Sequence, residues 1–167
     1  MSRLDIFKNM INERRLGFEI DEEMSGTHHF KIQDKPQGEL PMFFKVTWGA
    51  KNIGKFLNPM DPEFLAAYLF GRVTIGGFCE DTECRGSLEL LYFTEAKIRY
   101  TFDFQVEGER YRYVGEKVNI RPWNLHRTHT TCYGIVRNIK TGDVISESTL
   151  HFRFSTIPAF LGSLRPA

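Results

Sequence analysis

The chain has 167 residues and a mass of 19.5 kDa, a length at which a single domain can bury a substantial core. Hydrophobic residues make up 41% and charged residues 26%, which is ordinary globular usage and excludes a largely disordered chain. The 22 basic residues nearly balance the 21 acidic ones, so no general basic field attracts nucleic acid or an anionic membrane. We therefore expect one domain, residues 1–167, that does not bind nucleic acid.

The N-terminal segment and the cysteines bear on the cellular compartment. The first residues carry charges throughout and lack the apolar run of a secretory signal. The sequence has no stretch of about 18 apolar residues, so no membrane span is predicted. The chain has three cysteines, Cys79, Cys84 and Cys132. This number is small and odd, so a disulfide framework is not expected. These features predict a cytoplasmic protein with free thiols.

Three short helices are predicted outside the strands. An N-terminal helix within residues 1–14 is indicated by apolar residues at spacings of three and four, namely Leu4, Phe7, Met10 and Ile11. A second helix is predicted after Asp61, with Pro62 at its first position and residues 64–69 as its mostly apolar body. A short helix is also predicted over residues 157–164 near the C-terminus.

The remaining segments show the period-two alternation that is typical of strands. The clearest lies within residues 98–106, where apolar positions alternate with polar ones: Ile98, Tyr100, Phe102, Phe104 and Val106 against Arg99, Thr101, Asp103 and Gln105. Eight strands are predicted in all, over residues 18–30, 42–48, 72–75, 87–93, 98–106, 110–120, 128–136 and 144–154. Turn residues at 107–109 and 141–143 join neighbouring strands.

Many short strands joined by hairpin-length turns predict one antiparallel meander. A meander this long tends to close on itself, because closure removes its exposed edges. We therefore expect an all-β, antiparallel up-and-down barrel of about eight to ten strands with short flanking helices. A two-sheet sandwich is the alternative. The interior of such a barrel is either filled by side chains or holds one small ligand.

Polar residues on inward-facing positions are the first candidates for function, because they must be paired or used. The first predicted strand places Glu22 and His28 on the face of its apolar residues, Phe18, Ile20, Met24 and Phe30. On the sixth strand, Tyr113 and Lys117 share a face, but periodicity does not decide whether that face is the inner one. A buried Glu22–Lys117 pair would be either a structural ion pair or a polar anchor at the bottom of an apolar cavity.

Motifs for metal, phosphate and nucleophile chemistry are missing from the sequence. His126 and His129 differ by an odd number, so a regular strand points them to opposite faces. We therefore predict no metal site. The chain has neither a Gly-x-Ser-x-Gly elbow nor a P-loop, and we expect no cofactor. An acid–base enzyme would need a histidine as its base, either His28 or His129.

Four short motifs follow one another along the chain. Ile20–Gly26 is similar to an opening Phe-Thr-Glu-x-Met-x-Gly, and Lys97–Phe104 to an Arg-Met-Arg-Tyr-x-Leu-x-Phe strand. Gly115–Val118 is similar to Gly-x-Lys-x, and Trp123 with Thr128–Tyr133 to a Trp…Thr-Thr-Thr-Leu-Tyr run. Together, over about residues 18–155, they resemble the lipocalin-like (calycin-type) β-barrel domain that occurs joined to cholesterol-oxidase-like flavin oxidoreductases of the glucose–methanol–choline type.

This resemblance implies a barrel and, by analogy, an apolar or sterol-like ligand. Glu22, Arg99 and Lys117 coincide with positions of the family motifs, whereas Ile20 and Asp21 replace the Phe and Thr of the first motif. The chain has no flavin-binding domain, so the activity of the fused relatives does not carry over. The expected partners are a hydrophobic small molecule and either a second copy of the chain or a flavin oxidoreductase.

The function predicted first is binding of a hydrophobic small molecule, lipid- or sterol-like, in the barrel cavity. The predicted ligand-binding residues are Glu22, His28, Arg99, Tyr100, Phe102, Phe104, Tyr113, Lys117 and Thr130. One alternative is an enzyme acting on a lipid-like substrate, with His28 or His129 as base and Glu22 or Glu116 as acid. The other is a protein-interaction module with an exposed aromatic patch around Trp48, Phe43 or Phe56.

Overall fold

A computed structural model describes Asp5 and residues 17–91, 94–118, 131–152 and 165–166. Its long strands are β1 (Phe18–Phe30), β2 (Leu40–Ala50), β3 (Ala66–Ile75), β4 (Cys79–Leu91), β5 (Lys97–Val106), β6 (Glu109–Lys117), β7 (Thr131–Asn138) and β8 (Val144–Phe152). A short helix, α1 (Ile53–Phe56), follows β2, and a two-residue strand, β9 (Arg165–Pro166), lies near the C-terminus. None of the helical residues described belongs to a helix long and apolar enough to cross a membrane.

The eight long strands form a closed barrel. Each strand from β1 to β7 pairs antiparallel with the next one along the chain, and β8 pairs with β1. β9 adds two residues beside the start of β1. Among the strands described, closure leaves no long edge strand unpaired. The predicted all-β, up-and-down barrel is confirmed, and the two-sheet sandwich is excluded.

The inside of the barrel is the hydrophobic core. Along β5 the exposed fractions of Ile98, Tyr100 and Phe102 are 3%, 1% and 0%, and the residues between them face outward. The same alternation in β6 buries Tyr113 and Lys117. The face of the sixth strand that periodicity left undecided is therefore the inner one.

The prediction of a helix after Asp61 is wrong, because the chain makes a turn there and then enters β3. The Asp61 carboxylate accepts the backbone N–H of Glu63 at 2.9 Å, which makes a local turn. Leu65 then adopts a φ of +54°, which a helix does not allow. From there four of the five inward positions of β3 are buried, namely Ala67, Leu69, Val73 and Ile75. Pairing with β2 on one side and β4 on the other outweighs the helix propensity of the alanines.

The other predicted helices are not tested. Residues 157–164 and residues 1–14, except Asp5, lie outside the described residues. The helix observed, α1, was not predicted from the sequence. It begins after Asn52, whose side chain accepts the backbone N–H of Lys55 at 3.1 Å and so caps the first turn.

The two ends of the barrel differ. The first, which we call the α1 end, is where β1, β3, β5 and β7 begin and β2, β4, β6 and β8 finish. There Phe56 of α1 packs against Phe18 with ring centroids 5.1 Å apart. At the opposite end the Phe78 ring contacts Tyr111, Phe30 and Phe104 at 4.9, 6.2 and 6.4 Å. Aromatic side chains therefore fill the opposite end.

Candidate functional site

A polar cluster is buried inside the barrel near the α1 end. It consists of Glu22 on β1, Trp48 on β2, Tyr100 on β5 and Lys117 on β6. Only 6% of Glu22 and 3% of Lys117 is exposed. Each residue occupies an inward position of its strand, because apolar core residues lie two positions away on the same face. We call these four residues the inner cluster.

The Glu22 carboxylate is the centre of the inner cluster. Its Oε1 accepts hydrogen bonds from Lys117 Nζ and from the Tyr100 hydroxyl, both at 2.8 Å. Its Oε2 accepts the indole N–H of Trp48 at 3.0 Å. The Lys117 ammonium also lies 5.2 Å from the centroid of the Tyr100 ring, within the range of a cation–π contact. The buried ion pair is thus supported by further hydrogen bonds, as such a pair requires.

Nearby phenol and thiol groups stay protonated. Burial raises the pKa of Tyr100 well above its ordinary value, and the negative charge of Glu22 raises it further. Tyr100 therefore acts as a donor to Glu22. Burial also raises the pKa of Cys132 to about 11. This thiol, 3.5 Å from the Tyr113 hydroxyl, is not a thiolate nucleophile at neutral pH.

Three of the aromatic residues predicted to line a ligand cavity pack on one another. Phe102 stacks on Tyr113 with ring centroids 4.7 Å apart and meets Phe44 at 5.4 Å. Phe104 stacks on Tyr111 at 5.9 Å near the opposite end. The alternation along β5 correctly predicts that Phe102 and Phe104 lie inside the barrel, and Tyr113, whose face periodicity left undecided, lies there too. Their ring contacts make them part of the packed core.

His28 also faces inward, but it belongs to a different part of the barrel. Its Nε2 donates to the carbonyl of Gly76 at 2.8 Å, so Nδ1 accepts the hydroxyl of Ser146 at 2.9 Å. It lies six positions from Glu22 along β1, roughly 20 Å at the rise of a strand. Burial lowers the pKa of His28, which keeps it neutral. The predicted acid–base pairing of His28 with Glu22 is therefore not formed.

Arg99 does not join the inner cluster, which corrects its placement in the cavity. It sits between two inward-facing residues of β5, and so its guanidinium lies outside, 3.2 Å from Glu95 and 3.9 Å from Glu89. Glu116 is likewise on the outer face, paired with Lys97 at 2.9 Å. Thr130, predicted to bind ligand, and His129, predicted as a base, lie outside the described residues.

Trp48 is the member of the inner cluster that the sequence analysis missed. It was assigned to an exposed aromatic patch with Phe43 and Phe56. Instead Trp48 turns inward, Phe56 is buried and only Phe43 is exposed. The signal was present, because Trp48 shares the face of the apolar residues of β2, and a buried indole N–H needs an acceptor. The three residues do not form one surface patch.

Cavities and metal ligands complete the description of the site. A cleft of about 400 Å³ at the α1 end is lined by Ala50, Phe56, Ala66, Ala67 and Tyr68, among others, and by none of the four residues of the inner cluster. A larger groove of about 820 Å³ runs over the outer face of β6, β7 and β8, away from the inner cluster.

Within residues 17–91, 94–118 and 131–152, no group of three or more His, Cys, Asp or Glu side chains could hold a metal ion.

Comparisons with known proteins add no family assignment. The chain matches no protein-family model, no curated protein and no solved structure. The fold and the site together therefore define a class: a closed antiparallel barrel of eight strands with a carboxylate–ammonium cluster buried near one end.

Proposed function

We propose that this barrel binds a hydrophobic small molecule, lipid- or sterol-like, whose polar end meets the inner cluster at the α1 end. The observation that carries the proposal is the position of the Glu22–Lys117 pair, which lies inside a largely apolar barrel and joins β1 to β6. Burying two charges costs more than an apolar pair would. A polar anchor facing an apolar ligand gives that arrangement a use.

The geometry of the two ends supports entry at the α1 end. Aromatic rings fill the opposite end. The α1 end holds the inner cluster and, beside α1, a cleft of about 400 Å³, which lies within the usual size of ligand pockets, about 300–1,000 Å³. The lining of this cleft does not include the four residues of the inner cluster, so a ligand seated there would have to extend into the barrel to reach them. Ala67, which lines this cleft, is a buried inward residue with a small side chain. The ligand would therefore occupy the α1 end and leave the packed aromatic centre in place.

A pair of matched substitutions tests the proposal with N-phenyl-1-naphthylamine, an uncharged apolar dye. Ala67→Phe places a ring in the interior, whereas Arg72→Phe places the same ring on the exposed face of β3, outside the lining of the cleft. We expect saturable binding of one dye per chain by the native protein. Ala67→Phe should weaken it about tenfold or more, since a loss of ~1.4 kcal/mol has that effect. Arg72→Phe should leave it unchanged.

Circular dichroism and the melting temperature of both variants establish that the barrel is intact. Native mass spectrometry of the freshly purified protein shows whether a lipid accompanies the chain. Absence of one-to-one dye binding, or an equal effect of both substitutions, would rule out a ligand at the α1 end.

A further inference from the structure

The hydrogen bonds of the inner cluster are unequally shared between its two charged groups. Glu22 accepts three donors, from Lys117, Tyr100 and Trp48. The Lys117 ammonium carries three N–H donors, and in the described part of the chain its only hydrogen bond goes to Glu22. Otherwise it lies over the rings of Tyr100 and Phe152, 5.2 and 5.6 Å from their centroids. Because just 3% of Lys117 is exposed, its remaining donors are shielded from bulk water. An aromatic ring is a weaker acceptor than an oxygen, so these donors can still bind one.

The charge inside the barrel is balanced. Among the described residues the buried ionisable side chains other than tyrosine and cysteine are Glu22, Lys117 and His28. His28 is neutral because burial lowers its pKa. The described interior therefore holds one negative and one positive charge, placed 2.8 Å apart. An additional charge brought there by a ligand would have no counter-charge of its own.

We infer, on the basis of the proposed function, that the ligand presents an uncharged oxygen, a carbonyl or hydroxyl, to Lys117 Nζ, and that Glu22 excludes carboxylates. An uncharged oxygen accepts the spare N–H donors without changing the net charge of the interior. A carboxylate could also accept them, but it would be desolvated close to the Glu22 carboxylate. Like charges repel strongly in a medium of low dielectric, and a repulsive group of this kind is a common source of specificity.

The inference is tested with three probes of equal chain length: decan-2-one, decan-1-ol and decanoate, which is ionised at pH 7.5. Binding is followed by the fluorescence of Trp48, which contacts Glu22 directly. Trp123→Phe leaves Trp48 as the single tryptophan of a chain that has two. We expect both uncharged probes to bind at least about tenfold more tightly than decanoate.

Substitution of Glu22 should reverse this preference. Glu22→Gln leaves the Lys117 charge without its partner, so decanoate should gain about tenfold or more relative to decan-2-one. The matched control is Glu116→Gln, which removes a carboxylate from an ion pair of 2.9 Å on the outer face and should not alter the ratio. Lys117→Met gives an independent measurement, because the uncharged probes lose their donor and should weaken about tenfold. Lys97→Met should leave their binding unchanged.

The outcomes separate this inference from the proposed function. If decanoate binds as tightly as decan-2-one, Glu22→Gln does not change the ratio and Lys117→Met does not weaken the uncharged probes, the inference is wrong and ligand binding still stands. If none of the three probes binds and the dye does not bind either, both are wrong. A Glu22→Gln variant that fails to fold leaves Lys117→Met to decide, and the native preference is measured without any variant of the cluster.

Discussion

At the scale of single residues, the packing of Tyr113 depends on two glycines. Gly115 on β6 and Gly134 on β7 are direct partners in the antiparallel pairing. A Cβ atom added at either position would overlap the ring or hydroxyl of Tyr113. The fully buried Tyr113 ring therefore lies over backbone that only glycine leaves free.

Gly134→Ala should consequently destabilise the barrel. We expect the free energy of unfolding to fall by about 1–3 kcal/mol, the usual cost of overpacking a core, measured by urea denaturation. The matched comparison is the same substitution in a Tyr113→Leu background, where the space of the ring is partly free and the cost should shrink. An equal cost in both backgrounds would show that the ring is not what excludes alanine.

The ion pair of the inner cluster makes a second prediction at this scale. Lys117→Met leaves the Glu22 carboxylate buried without its cation, which should lower the free energy of unfolding by about 3–5 kcal/mol. The double variant Glu22→Gln, Lys117→Met removes both charges and should be more stable than Lys117→Met alone. Urea denaturation of the native protein, both single variants and the double variant closes the cycle. Additive losses would contradict a direct coupling.

At the scale of elements, the alternation of polar and apolar residues predicts which segments form strands, but it does not predict which side chains contact each other across strands. The structure confirms the period-two pattern of β5, since Tyr100, Phe102 and Phe104 all point into the barrel. The strand faces allow a buried Glu22–Lys117 pair, but this contact spans 95 positions of sequence, and only the pairing of whole strands establishes it. The partner of Trp48 cannot be predicted for the same reason, since its acceptor lies on a different strand. Local patterns give the face of a residue, whereas strand register gives its neighbours.

The turn between β5 and β6 offers a prediction for an element. Val106 pairs with Glu109, so the loop consists of Glu107 and Gly108, whose φ angles are +51° and +82°. Positive φ at both positions is typical of a type I′ turn, which favours Asn-Gly. Glu107→Asn should therefore raise the free energy of unfolding by about 0.5–1 kcal/mol, since an ordinary L-residue pays ~1–2 kcal/mol in this conformation.

The control for this prediction is Glu109→Asn. Glu109 is exposed and begins β6, where asparagine has a lower strand propensity and should bring no gain. Thermal unfolding of the two variants beside the native protein makes the comparison. Equal changes in melting temperature would mean that the turn conformation is not the cause.

At the scale of the whole molecule, β1 is the strand that closes the barrel. Its residues 18–28 pair with β2, and its residues 24–30 also pair with β8. His28 lies in the doubly paired part and holds three elements together: β1 itself, β8 through Ser146, and the β3–β4 turn through Gly76. Closure could be expected from the number of strands. The two hydrogen bonds of His28 could not, because they join residues 118 and 48 positions apart in the sequence.

The buried imidazole of His28 should make the stability of the barrel depend on pH. Burial lowers the pKa of His28 in the folded state, the charge of neighbouring His29 lowers it further, and the bond to Gly76 opposes them. The unfolded chain therefore takes up the proton first as pH falls below about 6.5, and proton uptake by the unfolded state lowers the free energy of unfolding. Above that pH the contribution of His28 is fully present.

His28→Gln separates this effect from all other titrations, because the amide can still donate to Gly76 and accept from Ser146 without taking up a proton. Urea denaturation at pH 7.5 and 5.5 should show a smaller loss of stability for His28→Gln than for the native protein. His151→Gln is the matched control, since His151 is exposed on the outer face of β8, where its Nδ1 lies 3.2 Å from the Thr131 hydroxyl, and its removal should not reduce the loss in this way. Equal losses in the native protein and His28→Gln would show that the buried imidazole is not the group that titrates, and the acid sensitivity of the barrel would then have to arise elsewhere in the chain.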